Sequence, residues 1–205
     1  MTMGNFPSHF LSDTRGSAAE FALLLPLSML FFLGIIDAGR YAYTFNQGEK
    51  ATQIGARWSV VTDPVATELA NETYVGTTIG GVTLTQGDRI PAGALGLITC
   101  DDTTCTCTTS PCPTTLTSGA APFAALLGRM QQIMPEIEAS NLIIEYRGSG
   151  LGFAGDPNGM DVVPLVTIRL VDMDFSPIFL FGGTVGLPDF SYTLTMEDGA
   201  GTGSN

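Results

Sequence analysis

A charge-free apolar run from Phe21 to Ile36, entered through Glu20 and left through Asp37, constrains this chain more than any other feature. With the small residues on either side it reaches the ~20 residues that a helix needs to cross a bilayer. The expectation is a transmembrane helix over residues 16–39, with Phe21, Pro26, Gly34, Asp37 and Gly39 as its marked positions. A carboxylate costs roughly 2.5–3.5 kcal/mol at mid-bilayer and less toward the interface, so Glu20 calls for a partner or for a place at headgroup depth.

A cleaved secretory signal is the rival reading, because a short apolar run behind Arg15 is also the shape of a signal h-region. The residues that follow, Asp37, Ala38, Gly39, Arg40 and Tyr41, give no Ala-x-Ala cleavage pattern, and the helical pattern continues past them. A retained anchor is therefore expected. Arg15 on one side and Arg40, Lys50 and Arg57 on the other leave the positive-inside rule undecided. Length decides instead: residues 1–15 stay behind as a cytoplasmic tail and everything after Arg40 is exported.

Past the anchor there is room for one domain with a core, expected over residues 63–198 and joined to the membrane by an amphipathic helical continuation over 40–62. The net charge of −12 falls almost wholly in this exported part, a surface that repels nucleic acid and anionic lipid. Its 25 Gly, 12 Pro and many Thr favour turns and strands over long helices.

Within the continuation, Ala51, Ile54, Trp58 and Val61 make an apolar stripe expected to cover the sheet, while Tyr41, Phe45, Gly48 and Gly55 lie elsewhere, the glycines permitting close approach of a neighbouring helix. Asp63-Pro64 ends the helix. Residues 65–97 read as short strands and turns. A second helix begins near Pro122 with Phe123, Leu126, Leu127, Met130, Ile133, Met134 and Ile137 on one face, and Pro135 ends it. Strands follow at Leu142–Tyr146, Leu165–Val171 and Phe190–Met196, the last two in clear alternation. The apolar connection 176–183 between them is either buried, the favoured reading, or a contact patch around Phe179 and Phe181. The fold class is α+β: a long N-terminal membrane-spanning helix continuing onto an antiparallel sheet with one further helix.

All four cysteines, Cys100, Cys105, Cys107 and Cys112, sit close together. In an exported domain two disulfides are the default, and Asp101–Thr104 as a hairpin loop favours Cys100 with Cys105 and Cys107 with Cys112. Zinc is the alternative, but there is no Cys-x-x-Cys step and the single histidine, His9, lies before the anchor. No catalytic set assembles from these residues, so no enzyme, metal or cofactor is expected. Asp156, Asn158 and Asp161 occupy a fragment of a calcium-loop spacing but lack its terminal Glu, and Asp156-Pro157-Asn158-Gly159 is adequately read as a tight turn. Asn71-Glu72-Thr73 fits a glycosylation sequon, a pattern frequent by chance. The glycine-rich end, 199–205, has no helix after it and reads as a flexible tail.

The order Arg15-Gly16, three small residues (Ser17, Ala18, Ala19) before Glu20-Phe21, an apolar run with Pro26, Gly34, Asp37, Gly39-Arg40 and then Gly55-Ala56-Arg57 resembles the TadE-like family of tight-adherence (Flp-type) pilus assembly proteins. The resemblance implies a bitopic minor pilin or pseudopilin of the bacterial inner membrane, its C-terminal domain periplasmic or extracellular. The implied partners are other minor pilin-like and assembly subunits and membrane lipid, with the major pilin and a prepilin peptidase as further candidates. It implies a processing site at Gly16 and Ser17, with Glu20 pairing with a mature N-terminal ammonium; here Glu20 is fourth after Gly16, where pilin-type chains place it fifth. Cleavage and retention of the N-terminus both stay open. The alternative function is an anchored adhesin or binding module that never enters a pilus.

Overall fold

The computed structural model describes residues 14–157, 159–179 and 182–196. His9, Asn158, Leu180, Phe181 and the 199–205 tail lie outside the described residues. The fold is α+β, and the chain divides into two compact units: Met1–Tyr43 with Ser176–Val185, and Thr44–Phe175 with Gly186–Asn205.

Helix α1 runs unbroken over Thr14–Ser59. Its apolar part is not a core helix. Phe21, Leu23, Leu27 and Phe31 are 66%, 79%, 66% and 66% exposed, so side chains that water rejects face outward along the whole run. Pro26 sits inside this part and removes one intrahelical donor. Membrane helices tolerate such a loss when nearby groups re-satisfy the backbone, and two residues on Ser28 donates its hydroxyl to the Leu25 carbonyl at 2.9 Å.

The second unit is built on a five-stranded antiparallel sheet. In chain order its strands are β1 (Leu97–Cys100), β2 (Cys105–Thr109), β3 (Leu142–Gly152), β4 (Val162–Leu170) and β5 (Phe190–Thr195), and across the sheet they lie in the order β2-β1-β3-β4-β5. Strict alternation of buried and half-buried residues along β4 puts Val166, Ile168 and Leu170 on the core face. Register then sets Ile144 opposite Ile168, Ile98 opposite Tyr146 and Ile168 opposite Tyr192, which makes one continuous apolar layer. Tyr146 is fully buried there, and its hydroxyl accepts the Val65 N–H at 2.8 Å; burial pushes the phenol's pKa upward.

Helix α2 (Ala120–Gln131) and the last stretch of α1 cover this layer. α2 buries Phe123, Leu126 and Met130, and the turn after it buries Met134 and Ile137, as the stripe predicts. The end of α1 departs from expectation. Its buried positions are Gly48, Ala51, Thr52, Gly55, Ala56, Ser59 and Val60, while Ile54, Trp58 and Val61 are only half-buried. The predicted Trp58 stripe is thus the shoulder of the contact and a face of small residues is its centre. The glycines are filled from within the domain: a Cβ on Gly48 would lie 2.5 Å from the Phe190 ring, and one on Gly55 would lie 2.7 Å from the Met130 sulfur. Large side chains of β5 and α2 enter notches in α1, so Gly48 and Gly55 are not free to receive another subunit's helix.

Candidate membrane and assembly site

The anchor segment is the only part of the chain for which the sequence proposes a function, and three of its features carry chemistry. Glu20 is exposed on α1 just before the apolar run, with Gly16 and Ser17 one turn earlier in the same helix. Among the described residues no hydrogen bond or ion pair holds its carboxylate. Gly34 and Gly39 have open space where a Cβ would stand, unlike Gly48 and Gly55, so the membrane part of α1 keeps smooth, unfilled positions at which another helix can approach.

Asp37, the acid that ends the run, is only 3% exposed. Its Oδ1 accepts a hydrogen bond from Arg40 Nη1 at 3.0 Å, and its Oδ2 accepts the backbone N–H of Phe179 at 2.9 Å. The same Arg40 nitrogen donates to the Ser176 carbonyl at 3.3 Å. Spacing of three residues on a helix brings Asp37 and Arg40 side by side. The connection from Ser176 is thereby tied to the helix by a carboxylate and a guanidinium. Within it Pro177 is buried, whereas Ile178 and Phe179 remain 47% and 40% exposed, so among the described residues of 176–183 the expectation of burial holds at the proline. Sequence reading missed the tie itself, which joins residues 142 positions apart.

At the far edge of the sheet, Cys100 is bonded to Cys105 and Cys107 to Cys112. Between the first pair, Asp101 accepts the backbone N–H groups of Thr103 and Thr104 at 2.8 and 2.7 Å, an Asx-type turn that closes the hairpin. Those amides, Thr104 first, hold the Asp101 carboxyl below its ordinary 3.8. Asp161 Oδ2 accepts the Tyr74 N–H at 2.8 Å and Oδ1 the Asp156 N–H at 3.1 Å, so both of its oxygens are engaged by backbone. Asn71 is exposed beside a 3₁₀ turn.

The outer sheet face is polar. Arg169 bridges Glu145 at 3.0 Å and Asp189 at 3.4 Å, and threonine hydroxyls pair across strands at Thr99 with Thr108 and at Thr167 with Thr193. The hydrogen bond that Arg169 donates to the Glu145 carboxylate raises the Arg169 pKa. Such exposed pairs contribute little, about 0–1 kcal/mol each, and define a wetted face.

An exposed apolar helix with a flanking acid, continuous with a sheet-packing segment, makes an α+β protein with one helix long and apolar enough to cross a membrane. Residues 16–57 are similar to the family model described as TadE-like protein. Comparisons with curated proteins and with solved structures give no match. The match begins at Gly16, contains Glu20, Asp37, Gly48 and Gly55, and ends before the first strand of the sheet.

Proposed function

We propose that this protein is a minor pilin or pseudopilin of the TadE-like kind, acting in the assembly of a tight-adherence pilus and spanning the bacterial inner membrane once, with the disulfide-bearing domain on the periplasmic or outer side. The observation that carries this reading is a coincidence of two independent findings on one stretch. The residues that match the TadE-like family include the helix whose large apolar side chains are exposed. Similarity to a family of structural and assembly components supports a non-enzymatic role. Two disulfides suit an exported compartment.

In this reading the anchor docks with other pilus subunits through the membrane part of α1, where Gly34 and Gly39 leave the backbone approachable. Glu20 supplies the polar contact. If the chain is cut between Gly16 and Ser17, the new ammonium of a neighbouring subunit is its partner, an arrangement that offsets the cost of placing either charge near lipid. If the chain is retained whole, Glu20 stays hydrated at headgroup depth.

The decisive experiment replaces Glu20→Ala in the native host and counts surface pili while following the protein in the membrane fraction. Loss of pili with the protein still membrane-bound is the expected result. Unchanged piliation in this variant and in a full deletion, with loss of surface attachment only in the deletion, would instead identify an anchored adhesin. Intact mass of the extracted protein adds the processing state, a start at Ser17 marking prepilin-type cleavage.

A further inference from the structure

We propose that the Asp37–Arg40 clasp seats Ile178 and Phe179 in the lipid headgroup layer, giving the chain a second contact with the membrane beside its anchor helix. The inference rests on the membrane-anchor reading above. Three observations lead to it. First, depth: a helix from Phe21 to Ile36 rises about 24 Å against a hydrocarbon core of about 30 Å, which puts the Asp37–Arg40 step at the edge of the core. Second, geometry: the Phe179 amide lies 2.9 Å from the Asp37 carboxylate, and Arg40 reaches the Ser176 carbonyl, so this connection is held at the same level as the helix end. Third, surface: Ile178 and Phe179 are exposed at that level, where Ile35 and Ile36 of the helix are also 55% and 51% exposed. The apolar surface of the anchor is thus continued by the loop.

The charge pattern identifies lipid as the occupant. Ser176–Val185 carries no ionisable residue in a chain of net charge −12, so it adds no charge of its own that an anionic membrane surface would repel. Exposed Phe and aliphatic side chains are what interfacial segments bury at the boundary of headgroup and acyl chain. The clasp solves the problem that such a position creates. A carboxylate next to hydrocarbon must have both oxygens satisfied, and here Arg40 takes one and the loop backbone the other. Asp37 holds the loop down, and the loop shields Asp37. Two lipid contacts on one rigid element also fix its rotation and tilt, which a lone apolar helix leaves to its neighbours.

The test uses the full chain in vesicles of phosphatidylethanolamine and phosphatidylglycerol carrying spin-labelled lipids, with the label near the headgroup or deep in the acyl chain. In a Trp58→Phe background, which removes the single native tryptophan, one tryptophan is placed by Phe179→Trp, Leu27→Trp or Val82→Trp. The expected result is that Phe179→Trp is quenched several-fold more by the shallow label than by the deep one, that Leu27→Trp shows the reverse, and that Val82→Trp is untouched by either. Adding Asp37→Leu to Phe179→Trp is expected to remove most of the shallow quenching. Phe179→Trp behaving like Val82→Trp would overturn the proposal by placing the loop in water. Blue-shifted but unquenched emission would overturn it by showing a protein cover, and quenching that survives Asp37→Leu would overturn the clasp. An unquenched Leu27→Trp would bring down the anchor reading itself, a failure distinct from the others.

Discussion

On the membrane-anchor reading proposed above, the two halves of α1 are one helix made for two solvents. From Phe21 to Ile36 the helix shows large side chains on every side, with Leu23 79% exposed and Phe32 62%. From Thr44 to Ser59 the buried side chains are small, Ala51 and Ala56 fully enclosed, and the bulk is supplied by Phe190 and Met130 from other elements. Lipid accepts apolar surface all round and asks only that backbone groups be satisfied, so the first half needs no complementary shape. A domain core has the density of a crystal, and the second half must match what packs on it. Hydrophobicity is thus the design variable in one half and volume in the other.

The largest expected effect comes from reversing the solvent in the first half. Leu27→Arg places a charge near the middle of the apolar run, at a cost of about 2.5–3.5 kcal/mol for insertion. We expect the protein to leave the carbonate-resistant membrane fraction while the second unit, released by mild proteolysis, keeps its thermal transition. A variant still fully membrane-bound would show that the exposed run is not the anchor.

A smaller but sharper contrast lies between glycines. Gly48→Leu drives a side chain into the Phe190 ring and should destabilise the domain by about 1–3 kcal/mol, the usual range for overpacking. Gly34→Leu meets nothing within 4 Å and should leave the same transition where it was. Thermal unfolding by circular dichroism in detergent reads both. Equal shifts for the two would mean that volume does not distinguish the halves.

How much of this was legible in the sequence follows the same division. The anchor announced itself through composition alone, and α2, β4 and β5 did so through regular apolar periods. The packing face at the end of α1 did not. Gly48, Thr52, Gly55 and Ser59 carry almost no hydrophobic signal, so the conspicuous Trp58 stripe drew the face to one side of its true centre. Strand β2 carries little apolar signal for a related reason: Cys and Thr alternate along Cys105–Thr109 with little contrast between the faces, and four of five residues are exposed, so the hairpin loop Asp101–Thr104 marked it where periodicity did not. The Asp37–Phe179 contact was invisible because pattern reading works within a window and this pair spans the chain. Asp37 could be flagged as an acid at a membrane edge, but its partner is a backbone amide, which no residue type betrays.

Acid should separate the halves with the least disturbance. Asp101 has its folded pKa held below 3.8 by the Thr104 and Thr103 amides, so the stability that it gives the hairpin is complete above the unfolded value and is lost as pH falls through the lower folded value. Asp88, which accepts the Thr85 N–H at 2.7 Å, is shifted the same way for the same reason. The run from Phe21 to Ile36 contains nothing that titrates. Lowering the pH below about 4 should therefore loosen the Asp101–Thr104 turn first, seen as movement of the Thr103 and Thr104 amide resonances, while membrane association persists. Asp101→Asn should flatten that titration, since an amide oxygen accepts the same hydrogen bonds without ionising. If the two threonine amides moved instead near neutral pH, or moved equally in Asp101→Asn, the Asp101 carboxylate would not be what closes the tip. If the anchor were released over the same acid range, the two halves would share a titrating element that the sequence from Phe21 to Ile36 does not contain.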